Sequence, residues 1–559
     1  MTVRPTRSDA PHLAAQRIGF LVKAVSAVAA LALMLDALSA RVYAGGSDRA
    51  TAVLEGQAMN GGNLLLHGWI LTHDSFWTVD AFFYALAVHI GGLRPGLLNL
   101  EPALAVAMAV VVGATVAGRG HRGGAALAGA ATAAVLLGFP TYAMTSFLLG
   151  GPDHVSTAVL ALVAFAGLRR GQLDWRWVVA VGALAFGMLG DLLMVAYGIV
   201  PVLGAGVAAM LRKRDWRPGM PALMACVAGT VVCEIVSWLA EAMGAFKSVG
   251  GVSVAPFTQM LVNLRHTLSY GAGLVGFTFR FDTGHVPVAL EEIHVVSALL
   301  IVGCLVFAVT NLVGGVVRGH REAPGSQTET GRWWLEDVLV LAVAGSAVTF
   351  VVLAVNGVPG ARYLVATVVF ASVLSGRLVA EAWKRLRPGR TTRAVGVACV
   401  ALSLSLAAGL GCTLAQPLAA QSASTLASWL EVHHLRDGLG GYWTSSITTV
   451  ESRGTVTVRP VWANPDGKLG RYMKLSSATW YAGQHFQFLV YEIPHVAEVD
   501  MKTATRTYGA PKHVYVIGSY RVLVWGHRLT VASFPRESSA AFYGHKGLAD
   551  PGKPHGGEL

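Results

Sequence analysis

HGWILTHDSFWTVDAFFYAL, residues 67–86, sets two carboxylates (Asp74, Asp80) and two histidines (His67, His73) among large aromatics, between segments that read as membrane spans. An acidic side chain beside a bilayer is costly unless it has a task. Whether these two belong to a site or to an ordinary wet loop therefore governs how the flanking chain is read. The 559-residue chain is 54% hydrophobic and 13% charged, whereas a soluble globular chain carries about 25% charged residues. Apolar runs of about 20 residues, enough to cross ~30 Å of hydrocarbon, recur as far as residue 415. A polytopic α-helical membrane protein is expected. The net charge of +12 would suit nucleic acid, but the basic residues cluster in short links between apolar runs, so no nucleic-acid partner is expected. The five cysteines (Cys226, Cys233, Cys304, Cys399, Cys412) lie in or at the ends of apolar runs. They offer neither a disulfide framework nor a CxxC metal site.

About eleven spans are expected, near 18–41, 98–118, 122–139, 155–169, 176–190, 193–212, 220–243, 290–317, 334–356, 362–381 and 393–415. The first follows a segment with Arg4, Arg7, Arg17 and Lys23; it is longer than a signal-peptide core and reads as a retained anchor. Alternate links are basic: GRGHRGG, RRGQLDWRW, RKRDWRP, RGHREAPGSQTETGR and WKRLRPGRTTR. The positive-inside rule puts these links and the N-terminus in the cytoplasm of a multi-pass cell-membrane protein, with the C-terminus outside. The extracytoplasmic face then collects Asp48, Asp74, Asp80, Asp153, His154, Asp191, Arg265, His266 and Arg362. The cytoplasmic links carry no comparable cluster, so the chemistry is expected outside.

Three units follow: a transmembrane domain, 1–415, with a first outer loop at 42–97; an extracytoplasmic α+β domain, 416–534; and a disordered tail, 535–559. The middle unit is read from a helix near 418–434 and alternating stretches such as TVTVRPVW, HFQFLVYEI and HVYVIGSY, parted by the turns NPDGK and YGAPK. Its Trp443, Trp462 and Trp480 are either core or a platform on which polysaccharide could stack. No internal repeat supports an inverted-repeat transporter.

Upstream of the opening stretch, GGSDRATAVLEGQAMNGGNLLLHGW (45–69) sets Ser47-Asp48 in N-cap position before a helix with Ala50, Leu54 and Met59 on one side. Such a helix would lie at the membrane interface. Asp80 follows Asp48 by 32 residues, leading into AFFYALAVHIGG. Then come LLGGPDHVSTAVLAL, with Asp153-His154, and GARYLVATVVF, with Arg362-Tyr363. This order resembles the GT-C glycosyltransferases of the protein-mannosyltransferase and lipid-A aminoarabinose-transferase group. GNLLLHGW, PDHVST, LGDLL and GLGGYWTSSITTVESRG look like an actinobacterial branch of integral membrane proteins. Where the group usually has a second acidic residue after the first Asp, this chain has Arg49.

The resemblance implies a membrane glycosyltransferase that moves a sugar from a polyprenyl-phosphate donor to an extracytoplasmic cell-wall glycan, lipid or protein, among membrane lipids. It makes Asp48 the candidate general base, with Asp80 as a further catalytic candidate. Asp80, Asp153 and His154 would position the acceptor or hold a divalent cation (Mg, Mn or Ca). Arg362, Tyr363, Arg265 and His266 would bind the lipid phosphate. Each residue has a plainer reading. Asp48 and Asp153 could be helix caps, His154 could support another residue, and Arg362 could snorkel to headgroups. Asp74 reads as solvated loop, and Asp191 either lines the same cavity or caps a helix. Glu234, within a span, is functional by default, and Glu241 is interfacial. Two other functions compete: a lipid or polyanion transporter or flippase, and a non-catalytic glycan-binding scaffold, which Arg49 keeps open.

Overall fold

The computed structural model describes residues 10–531 apart from 44, 153, 169–172, 250–252, 278–285, 319–333, 355–357, 387–388, 420–421, 465 and 494–498. Asp153, the 535–559 tail and nearly all of RGHREAPGSQTETGR lie outside the described residues.

All eleven apolar runs fold as helices, but not all reach spanning length. Eight helices are long and apolar enough to cross a bilayer, and a ninth span is the bent pair Gly123–Gly138 and Tyr142–Leu148, turned by 86°. The other two expected spans, Val155–Gly167 and Trp175–Gly190, have 13 and 16 residues, short of the ~20 that hydrocarbon requires. The count among the described residues is thus eight or nine rather than eleven. Hydropathy alone could not show where those two helices stop. One begins after His154, whose backbone is left-handed (φ 63°), and the other ends at Asp191.

Small residues let the long helices approach closely. A Cβ added at Gly129 would lie 2.7 Å from the Ala380 Cβ, and one at Gly376 would lie 2.5 Å from the Gly129 carbonyl oxygen. Gly129 belongs to Gly123–Gly138, and Gly376 and Ala380 to Val365–Arg385. At the end of the bundle near the basic links, buried Arg377 donates to Glu336 at 2.9 Å and to the carbonyls of Val116 (2.9 Å) and Arg119 (3.0 Å).

The helix Ser422–Val432 leads into a six-stranded mixed sheet, ordered Leu469–Arg471, Thr457–Ala463, Asp437–Gly440, Phe486–Glu492, Tyr520–Leu529, His513–Ile517. The expected strands are present. The central one, Asp437–Gly440, runs parallel to both neighbours and was not expected. Its glycine is required: a Cβ at Gly438 would sit 2.2 Å from the Phe488 ring.

A second, small sheet positions the site. Trp69–Leu71 pairs in parallel with Lys247–Ser248 and antiparallel with Ser476–Ser477. The first outer loop is thereby tied to the 244–289 link and to the C-terminal domain. The helix Ser47–Asn60 is not an interfacial helix with one face free. It is buried nearly all round: Gly56 lies against Tyr84 of the helix Phe82–Gly91, and Thr51 donates to Ser446 at 2.8 Å.

Candidate functional site

Asp48 is the second residue of the helix Ser47–Asn60, whose N-cap is Gly46, with no side-chain cap bond. The capping role read from sequence is therefore absent, and the carboxylate is available for other partners. Tyr442 donates its hydroxyl to Asp48 Oδ1, and Arg362 Nη1 stands 4.0 Å from Oδ2. The two side chains are 36% (Asp48) and 40% (Arg362) exposed, so this face of the group is open. Tyr442 begins the helix Tyr442–Glu451 of the C-terminal domain, so that domain contributes directly to the site.

Behind Arg362 the groups are layered. Its guanidinium lies 5.3 Å from the Tyr363 ring centroid, and that ring stacks on His154 at 5.2 Å. His154 Nδ1 is 2.8 Å from Asp191 Oδ2. Asp191 also accepts from the Thr157 hydroxyl and, at 2.9 Å, from the Leu193 amide. Burial works against charge on both partners, but each partner's charge outweighs it: His154 is held above its ordinary value and Asp191 below. They form a buried imidazolium–carboxylate pair. Both alternatives left open for Asp191 hold in part, since it caps the turn after its helix and lies in the cluster.

Asp74 departs from its wet-loop reading. It is half-buried, within reach of the fields of Asp191, His154 and Arg362. Burial and the charge of Asp191 push it up to about 6. The local sequence gave no sign of this, because a long-range contact buries it: the Phe76 amide donates to the Gly190 carbonyl at 2.7 Å.

Asp80 lies deeper than expected. It is 4% exposed, accepts from Ser156 at 2.9 Å and contacts the Glu101 carboxyl. Burial pushes it up to about 6, against the lowering contacts from Glu101 and Ser156. Glu55 is raised well above the ordinary carboxylate range, by burial and then by the charge of Asp80. Asp80, Glu55 and Glu101 thus form a buried acidic cluster. Glu55 and Glu101 were not foreseen, since single acids inside helical patterns read as surface positions.

Arg49 is fully buried. It donates to Gly150 O (3.2 Å), to Asn99 Oδ1 (2.9 Å) and to Leu149 O, and stands 4.4 Å from the Tyr43 ring centroid. It staples the helix Ser47–Asn60 to the 149–150 turn. Arg265 is exposed, and His266 stacks on Tyr270 at 5.0 Å. Among the described residues no contact joins either to the Asp48–Arg362 group. No three His, Cys, Asp or Glu side chains among the described residues are placed to hold a metal ion. Of the residues expected to hold a cation, His154 Nδ1 bonds Asp191 and Asp80 Oδ1 accepts from Ser156, Asp80 Oδ2 has no partner, and Asp153 lies outside the described residues.

No protein-family model and no curated protein matches this chain. Among solved structures, ArnT from Cupriavidus metallidurans bound to undecaprenyl phosphate is similar with a TM-score of 0.51 at 15% identity, over 90% of this chain and 98% of that one. The apo structure of the same protein gives 0.42 at 15% identity, over 91% and 98%. The first likeness is one of fold: a polytopic helical membrane domain followed by a C-terminal domain, in ArnT-like arrangement.

Proposed function

We propose that this chain is a membrane glycosyltransferase that takes a sugar from a polyprenyl-phosphate donor and passes it to an extracytoplasmic hydroxyl on a cell-wall glycan, lipid or protein. The observation that carries the reading is the open pairing of Asp48 with Arg362 at 4.0 Å, with Tyr442 on the other carboxylate oxygen. One group can take a proton and the other can face a phosphate, side by side at a single opening. Support also comes from the ArnT-like fold and from the undecaprenyl phosphate bound in that neighbour.

The residues divide the chemistry between them. The acceptor oxygen forms a bond to the anomeric carbon, and the bond from that carbon to the phosphate oxygen breaks. The leaving polyprenyl phosphate keeps the electron pair, and the acceptor proton goes to Asp48 Oδ2. Tyr442 fixes the carboxylate through Oδ1. Arg362 stabilises the departing phosphate, with the His154–Asp191 pair packed behind Tyr363. Asp191 keeps His154 charged. Asp80 acts as a positioning residue, holding Ser156 at the start of the helix that follows His154. No step here runs through a metal.

The test is incubation of the purified full-length protein with polyprenyl phosphates carrying labelled sugars and a cell-wall acceptor preparation. The proposal expects labelled acceptor and released polyprenyl phosphate. Donor crossing of a vesicle membrane without transfer would favour a flippase, and glycan binding without either would favour a scaffold.

A further inference from the structure

The first outer loop and the C-terminal domain line a half-open cavity of about 250 Å³ whose walls do not include Asp48 or Arg362 but do include Gln57, Asn63, Trp69, Arg459, Thr479 and Trp480. Its walls are amphiphilic. Trp69 and Trp480 pack edge to face, with ring centroids 4.9 Å apart; Trp69 is buried and Trp480 half-buried. The guanidinium carbon of Arg459 lies 4.4 Å from the Trp480 ring centroid.

Arg459 stands out among the charges of this domain. It has no hydrogen-bond acceptor and no ion-pair partner among the described residues, and burial brings it down to about 10. The carboxylate whose field reaches it, Asp437, already accepts from Thr457 at 2.8 Å. Half-buried against the Trp480 ring, this guanidinium has its nitrogens left to meet an anion at the cavity. Its planar fork suits a carboxylate or phosphate. The Gln57 side-chain amide is exposed at the same cavity and makes no side-chain bond of its own. Aromatic rings, an amide, a hydroxyl and a free guanidinium around a space of this size match one sugar ring with an acidic substituent.

We infer that this cavity is a binding site for an anionic sugar unit of a glycan, with Arg459 on the acidic group and Trp480 and Gln57 against the ring. The proposal rests on the transferase reading only in naming that glycan as part of the acceptor; the binding itself does not require transfer.

The test uses full-length protein in nanodiscs and no donor. Binding is read by tryptophan fluorescence and saturation-transfer NMR, with a short uronic-acid oligosaccharide, the matching neutral glucose oligosaccharide and inorganic phosphate as probes. The uronic-acid probe should bind about tenfold or more tighter than the neutral one, the worth of one charge-assisted contact. Arg459→Gln should erase that preference, and Gln57→Ala should weaken both sugars. Trp480→Ala should abolish sugar binding; if it fails to fold, Arg459→Lys, which keeps charge but not the fork, should lose part of the preference. Asp48→Asn and Arg362→Ala should leave all of this unchanged, which separates the site from the transferase reading. Equal binding of the acidic and neutral sugars, an intact preference in Arg459→Gln, or phosphate binding as tightly as the uronic-acid probe would overturn the assignment.

Discussion

Replacing Arg362 with Met removes the cation at the open face given the phosphate-binding task, and the structure separates that loss from damage to the fold. At 4.0 Å from Asp48, a bare pair at an effective dielectric of about 20 would interact by ~4 kcal/mol. With the two side chains 40% and 36% exposed, solvent reduces such a pair to ~0–1 kcal/mol. The melting temperature should therefore move little, and Met retains contact with Tyr363. The donor phosphate loses a charge-assisted partner worth ~1.5–3 kcal/mol, so its Kd should rise about 10- to 150-fold. The assay is calorimetric titration of detergent-solubilised protein with a short-chain polyprenyl phosphate, with the matching neutral polyprenol as control. Affinity for the neutral lipid should be unchanged. Arg362→Lys, which keeps the charge but not the planar fork, should fall between. A phosphate affinity within twofold of wild type, or an equal loss for the neutral lipid, would refute the phosphate role.

Three further outcomes follow from the same contacts. Asp191→Asn removes the counter-charge of a buried pair, which should cost ~3–5 kcal/mol of stability, read by thermal unfolding near neutral pH. His154 is raised and Asp191 lowered, so wild-type stabilisation from the pair is present between the two limits. It is lost as pH rises through the raised His154 value, or as pH falls through the depressed Asp191 value; the variant should lack both transitions. Asp74→Asn should remove one of the titrations near pH 6 from the pH profile of donor binding, since Asp74 is pushed up to about 6, whereas an unaltered profile would return Asp74 to the loop. The divalent cation expected with Asp80, Asp153 and His154 is tested by EDTA: loss of transfer restored by Mg, Mn or Ca would place it there, and unchanged transfer would remove it.

Much of the architecture was legible because hydropathy is a property of long segments. The eleven apolar runs are all helices, and three segments expected on one face do meet: Trp69–Leu71 pairs with both Lys247–Ser248 and Ser476–Ser477. Arg362, Tyr363, His154 and Asp48 share one group, in line with the order of elements that carried the resemblance. The remainder was hidden by contacts without local signature. Asp437–Gly440 violates strand propensity because the Phe488 ring occupies the space a side chain would need. Asp74 reads as polar loop until Gly190 ties down Phe76. Tyr442 reaches Asp48 from 394 residues away, a distance no spacing argument spans. Asp80 was singled out by the resemblance, from its place before AFFYALAVHIGG, and its depth, 4% exposed beside Ser156, was not legible in that order of elements.

The central claim is that Asp48 takes the acceptor proton, and the most direct measurement is single-turnover sugar transfer by Asp48→Asn. Asparagine keeps the shape and can still accept from Tyr442, but it cannot act as a base. Transfer from a labelled polyprenyl-phosphate sugar should fall ~10²–10⁴-fold, while donor affinity, set by Arg362, stays within twofold of wild type. Transfer at the wild-type rate in Asp48→Asn would contradict the account.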